Sequence, residues 1–236
     1  NFSVNSLSIT NELKVNYHIN GDNETIVQNS LGGGKENKYI HLNNCHYLDI
    51  GNDQYMLLAI DPQSEVIISD KCRAIACRID NLKEIARRII FPENAILFSN
   101  VNISCERFTK LEEIVLPKGI TSIEERAFWG CSNLVNIKIP EGVTSIGDRA
   151  FHNCTSLTSI VIPEGVTNIG EYAFANCTNL TSIVIPEGVT SIGKSSFASC
   201  TNLTSIVIPE GVTSIGDDAF NRCTSLEKVV FPSTLI

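Results

Sequence analysis

The chain lacks a long apolar run. Its longest stretches, such as "MLLAI" at 56–60, fall far short of the roughly 20 residues a membrane-spanning helix needs, so no transmembrane segment is expected. Positive charge is also short, with 18 Lys and Arg against 26 Asp and Glu and a net charge of −8. Non-specific nucleic-acid binding depends on neutralising phosphates, and this balance argues against it. Residues 71–110 are the exception, with eight Lys/Arg against four Asp/Glu; the remainder therefore carries −12. Within that stretch "KEIARR" (83–88) reads as a solvated face, with Glu84 and Arg88 at helical spacing. No leader peptide is visible. Because the sequence opens at Asn1 without a methionine, that absence excludes nothing about export.

Catalytic constellations are missing as well. There are four histidines, His18, His41, His46 and His152, and none sits in a nucleophile–base pattern. "NSLGGGKEN" (29–37) invites a phosphate-loop reading, but the pattern wants Gly where Asn29 stands and Ser or Thr where Glu36 stands. A turn is the expectation there. His41, Cys45, His46, Cys72 and Cys77 carry metal-ligating side chains, yet His41-x₃-Cys45 and Cys72-x₄-Cys77 mix types and do not form two matched pairs. No catalytic residue, metal or cofactor is expected.

What the chain has in abundance is repetition. Pro117, Pro140, Pro163, Pro186, Pro209 and Pro232 are each 23 residues apart. Phe128, Phe151, Phe174, Phe197 and Phe220 keep the same interval, as do Cys131, Cys154, Cys177, Cys200 and Cys223. A fixed period in this range marks stacked supersecondary units. The unit reads L-x-x-I-x-I-P-x-G-V-T-x-I-G-x-x-A-F-x-x-C-x-x. In "LTSIVIP" (157–163), Ile160 and Ile162 alternate with Val161, as in a half-buried strand. Pro163 has no N–H and should end the ladder, and Glu164–Gly165 should turn the chain, with Gly165 free to take positive φ. The "AF" and Cys177 mark a return side, expected as a short helical turn or irregular coil. About eight residues per unit point inward, each large one worth roughly 1.5–3 kcal/mol when buried. A lone unit leaves its flat faces wet, whereas stacked units cover one another. Equal strands joined by a return segment should pair in parallel with a right-handed connection.

There are nine cysteines, an odd number. The five in the repeats form one inward column, rungs about 5 Å apart, and parallel side-chain vectors disfavour the disulfide torsion. Free core thiols are expected. Glu141, Glu164, Glu187 and Glu210 should form a column at the turn, with a mutual repulsion of about 0.8 kcal/mol per pair in water. Solvated carboxylates are the expectation, with Ca²⁺ binding the alternative.

The repeat pattern over 111–236 resembles the leucine-rich repeats of BspA-like bacterial surface proteins, the Treponema pallidum type. Pro stands where Asn follows the strand in the common leucine-rich repeat, which removes the basis for an Asn ladder but not for the solenoid. The resemblance implies an α/β solenoid, right-handed and curved, with parallel strands on the concave face and irregular or short helical return segments. It also implies surface display or secretion and adhesion to host or matrix proteins. Residues 66–110 read as degenerate repeats, since Pro92 lies 25 residues before Pro117. Residues 1–65 fit no period and read as a β-rich N-terminal cap, or else a small β module. The array stops at "EKVVFPSTLI" with no cap, so the natural protein is expected to continue, or this end to pack on another chain, end-to-end self-association included.

Two surfaces are candidates for a partner. The concave face offers Thr158, Ser159, Val161, Thr181, Ser182, Val184, Thr204, Ser205 and Val207, a hydroxyl grid for a protein or glycan, or else simply good strand residues. Variation gathers on the return side, where Trp129 and Tyr172 are of interface type. The reading is a non-enzymatic leucine-rich-repeat binding module at the cell surface or outside it. The alternatives are an intracellular recognition domain in the cytoplasm, or the repeat part of a larger enzyme or sensor.

Overall fold

The computed structural model describes residues 18–19, 25–29, 37–75, 79–97 and 103–233, with side chains from Tyr39 onward and backbone alone for Ile96 and Leu97. The glycine run at 32–34, Lys35, Cys77 and the last three residues lie outside this set. An antiparallel meander opens the chain: β1 (His18–Ile19), β2 (Thr25–Asn29), β3 (Asn37–Leu42), β4 (Cys45–Gly51) and β5 (Gln54–Ile60). The last two hairpins turn through Asn43–Asn44 and Asn52–Asp53, all four residues at φ between 52° and 57°. Asn and Asp tolerate this left-handed backbone, which matches the twist of the flanking strands.

The coil begins directly afterwards with β6 (Glu65–Ile67), β7 (Cys72–Ile75), β8 (Arg88–Ile90) and β9 (Ile96–Leu97). It continues through β10 (Glu113–Val115), β11 (Ser122–Ile123), β12 (Asn136–Lys138), β13 (Ser145–Ile146), β14 (Ser159–Val161) and β15 (Asn168–Ile169). The last rungs supply β16 (Ser182–Val184), β17 (Ser191–Ile192), β18 (Ser205–Val207), β19 (Ser214–Ile215) and β20 (Lys228–Val230). The strands β6, β8, β10, β12, β14 and β16 make one parallel sheet, and β18 and β20 pair in the same way beyond it. A second parallel sheet runs β11-β13-β15-β17-β19 after the proline turn, a layer the sequence pattern did not reveal. β7 and β9 attach instead to the meander, because β5 pairs in parallel with β7. The meander and the coil therefore share one hydrophobic core, running from Ile40 to Ala219.

The expected α component has no counterpart. Among the described residues the only helix is a 3₁₀ turn at Asp80–Leu82, so the molecule is a parallel β-solenoid. The return segments are successive turns. Two residues in each regular one take left-handed φ, such as Arg149 (56°) with Asn153 (63°), and Tyr172 (55°) with Asn176 (59°). That conformation costs a non-glycine residue roughly 1–2 kcal/mol, and it breaks helical propagation. In exchange, alternate N–H groups point along the axis: Arg149, Phe151 and Asn153 donate to the carbonyls of Glu171, Ala173 and Ala175 on the next rung at 2.7–2.9 Å.

"KEIARR" also departs from its helical expectation. Arg88 lies in β8 opposite Glu113 of β10, and its Nε donates to that carboxylate at 2.7 Å; Arg87 pairs with Glu112 at 3.2 Å. Strand pairing across 25 residues sets these partners, in place of Glu84 four residues away.

The glycines of the proline turns do not take positive φ, and those after the short second strands are needed for closeness. Val166 N–H bonds the Pro163 carbonyl at 3.0 Å around the Glu164–Gly165 turn, and Gly165 is not left-handed. Gly193, after β17, is more tightly bound: a Cβ there would lie 2.5 Å from the carbonyl carbon of Gly170 on the preceding rung. Its missing side chain would point along the solenoid axis, into backbone that cannot move aside. At Gly142 the nearest atoms to such a Cβ are two carbonyl oxygens at 3.4 Å. Gly193→Ala should therefore destabilise by about 1–3 kcal/mol, and Gly142→Ala by no more than about 0.5 kcal/mol. Urea unfolding of both variants checks the contrast.

Candidate functional site

Each rung of the long sheet has a buried central residue with exposed neighbours. Ile160, Ile183 and Ile206 are buried, and Thr158, Ser159, Thr181, Ser182, Thr204 and Ser205 face solvent. Val161, Val184 and Val207 stand out furthest, at 72%, 66% and 60% exposure. Val161 lies directly opposite Val184 in the long sheet, and Val207 holds the equivalent position on β18 in the sheet beyond it. Toward the N-terminal rungs the same face carries the Arg87–Glu112 and Arg88–Glu113 ion pairs. Between β12 and β14 the strands are in register only at Lys138 and Val161. A shallow hollow of about 320 Å³ opens there, lined by Asn136, Lys138, Glu141, Ser159, Val161 and Pro163.

The return side brings together residues from three rungs. Trp129, His152 and Tyr172 stack in sequence, with ring centroids 6.4 and 6.3 Å apart. Arginines cover the outer rings: Arg107 lies 4.7 Å and Arg126 5.4 Å from the Trp129 centroid, and Arg149 lies 4.9 Å from that of Tyr172. Trp129 and Tyr172 are each only half-exposed, so their rings are largely engaged within the molecule. The Nε2 of His152 lies 3.1 Å from Asn176 Nδ2, within reach of a hydrogen bond from that amide. Partial burial, and then the nearby Arg149 charge, push its pKa below the usual 6.5. A depressed histidine pKa means that the unfolded chain takes up the proton first, so stability falls as pH drops through about 6.5. His152→Phe removes this proton uptake while keeping a ring in the stack. Its stability relative to the parent, followed by thermal unfolding, should improve steadily between about pH 7.5 and 5.5.

The core columns lie behind these surfaces. Phe128, Phe151, Phe174, Phe197 and Phe220 stack face to face, with centroids 5.2–5.6 Å apart and planes within 7°. Beside them Cys154, Cys177, Cys200 and Cys223 each donate to the carbonyl of the phenylalanine one rung back, as from Cys177 Sγ to Phe151 at 3.2 Å and from Cys200 Sγ to Phe174 at 3.2 Å, while Cys131 Sγ donates to the Cys105 carbonyl at 2.9 Å. Cys131, Cys154, Cys177 and Cys200 are fully buried, while Cys223 is partly exposed. All eight described cysteines are free. Burial pushes the Cys131 and Cys177 thiols up to about 12, leaving almost no thiolate at neutral pH. Iodoacetamide should leave these four residues unmodified in the native protein and label all five of the column once it is denatured without reductant. Mass spectrometry reads the outcome, and no label after denaturation would mean disulfides.

The mixed histidine and cysteine set is split by the pleat. Cys45 is buried beneath the meander and Cys72 beneath β7, while His41 and His46 lie on the opposite, partly exposed face. Strand alternation separates Cys45 from its neighbour His46. The glutamates of the turn column, Glu141, Glu164, Glu187 and Glu210, are exposed. Sequence reading missed Asp61, which joins the two histidines; the directly opposed hairpin positions of His41 and His46 were the available clue.

Residues 99–227 match the family profile described as BspA type leucine-rich repeat region, in six copies. A leucine-rich repeat protein from Bacteroides ovatus is similar in structure, with a TM-score of 0.65 and 27% identity, covering 82% of this chain and 53% of that one. The T. pallidum leucine-rich repeat protein is similar at a TM-score of 0.56 and 25% identity, covering 80% of this chain and 81% of that one. The chain thus spans about half the length of the Bacteroides protein. No curated protein matches the sequence. With more than half of its length matched by the repeat profile, the chain belongs to the BspA-type leucine-rich-repeat family.

Proposed function

We propose that this chain is a non-enzymatic binding module of a bacterial cell-surface or secreted protein, attaching to a host or matrix protein through the outer face of its long sheet. The observation that carries the choice of face is the stripe of Val161, Val184 and Val207, which stands at 60–72% exposure between rows of Thr and Ser. Aligned, exposed β-branched residues offer contact area with little side-chain entropy to lose. Under Val161 and Val184 the strands pair at three successive positions, so a partner meets an ordered backbone there. The Trp129–His152–Tyr172 stack is less suited, because its ring faces are already covered by arginine. Surface display rests on the family resemblance. The free cysteines are compatible with it, since thiols this buried resist oxidation in either compartment. Residues 1–65 fit the role of a cap, as the meander closes the first rungs of the shared core.

The test is binding of the purified chain to immobilised matrix proteins, cells and glycans. Val184→Asp should weaken binding by at least about tenfold, as a charge in the centre of an apolar contact does, and Tyr172→Ala should leave it unchanged. Binding lost only in Tyr172→Ala would move the site to the return side. No binding to matrix, cells or glycans would remove the adhesive reading.

A further inference from the structure

The Asn43–Asn44 hairpin places His41 directly opposite His46 on one face of the meander, with their rings stacked at 4.5 Å and 18°. Asp61, one residue past β5, reaches the same point. Its carboxylate lies 3.0 and 3.1 Å from His46 Nε2 and 3.3 Å from His41 Nε2. The three donor atoms fall within 4.8 Å of one another. Asp61 is held there by its own backbone, whose N–H donates to the Asn44 carbonyl at 2.8 Å. Gln63 fastens the same loop: its amide donates to the Asn43 carbonyl and accepts from the Asn44 side chain.

A plain hydrogen bond explains half of this arrangement. His46 and Asp61 satisfy one another, yet the Nε2 of His41 is shielded from solvent and has no hydrogen-bond partner. That nitrogen lies 3.3 Å from the carboxylate that His46 already engages. A single divalent cation among them would accept a lone pair from each imidazole and one from a carboxylate oxygen. Metal bonds of about 2.0–2.1 Å in tetrahedral array imply donor separations of roughly 3.3–3.4 Å, close to the 3.0–3.3 Å between the two histidines and Asp61. Two nitrogen donors in three exclude Ca²⁺ and Mg²⁺, which want oxygen.

We propose that His41, His46 and Asp61 form a binding site for a borderline divalent cation of the zinc class, pinning the Asn43–Asn44 hairpin to the end of β5. Three protein donors leave a fourth position for water or an outside ligand. This site involves neither the outer sheet face nor the thiol column.

The whole chain, stripped of metal, is titrated with Zn²⁺ by calorimetry and with Co²⁺ by visible absorption. One Zn²⁺ per chain should bind, with a rise in melting temperature and a cobalt spectrum lacking the thiolate charge-transfer band. His46→Ala and Asp61→Asn should each weaken binding by at least about tenfold, and Cys45→Ser should not. Circular dichroism verifies that each variant folds. For a variant that does not, protection from diethyl pyrocarbonate in the parent protein decides: Zn²⁺ should shield His41 and His46 and leave His152 reactive. Absent binding, binding undiminished in folded His46→Ala, a thiolate band, or unprotected histidines would each overturn the proposal.

Discussion

Backbone hydrogen bonds between successive rungs run around the coil, and the rest of the molecule depends on them. On the strand side Ser159, Ile160 and Val161 pair in register with Ser182, Ile183 and Val184. After the proline turn, Asn168 and Ile169 pair with Ser191 and Ile192. On the return side the left-handed residues redirect N–H groups onto the next rung. Turn bonds within a rung, such as Val166 to Pro163, satisfy part of its polar backbone, and its neighbours satisfy the strand and return groups. That pairing holds the spacing near the interstrand distance, and the spacing then dictates what each side chain is able to do.

Small and planar residues follow from it. Gly170, Gly193 and Gly216 sit where a Cβ would enter the backbone of the preceding rung. Phenylalanines stack face to face because identical positions repeat at about the thickness of a ring plus a methylene. Threonine hydroxyls extend the pattern outside, with Thr144, Thr167, Thr190 and Thr213 each donating to the carbonyl one rung back. Hydroxyl-to-carbonyl bonds thus line the outside of the coil, and thiol-to-carbonyl bonds line the inside. Repetition therefore secures the scaffold, and specificity is left to residues that project from it.

Those residues divide by how much of their surface the scaffold already uses. The valine stripe is exposed, the Trp129–His152–Tyr172 column is locked under arginines, and the His41–His46–Asp61 group brings three possible donor atoms within 4.8 Å of one another. The first suits a broad contact, the second stiffens the return side, and the third gathers donors on the meander.

By itself the sequence determined the period, the inward Leu, Ile, Val, Phe and Cys positions, and the parallel stacking of strands. These properties are local or strictly periodic, so a chain read at intervals of 23 displays them. The second sheet, the left-handed return turns and the ion pairs of Arg87 and Arg88 were decided only by the tertiary structure. Two-residue strands carry too little alternation to be read, and "KEIARR" looks helical until β8 finds β10 across 25 residues. The convergence of Asp61 on His41 and His46 was hidden for the same reason. Donors fifteen or more residues apart become neighbours through a hairpin and a strand end, and side-chain spacing along the chain does not measure that distance. Whether an inward or outward residue has spare surface for a partner is likewise a matter of what its neighbours on adjacent rungs leave uncovered.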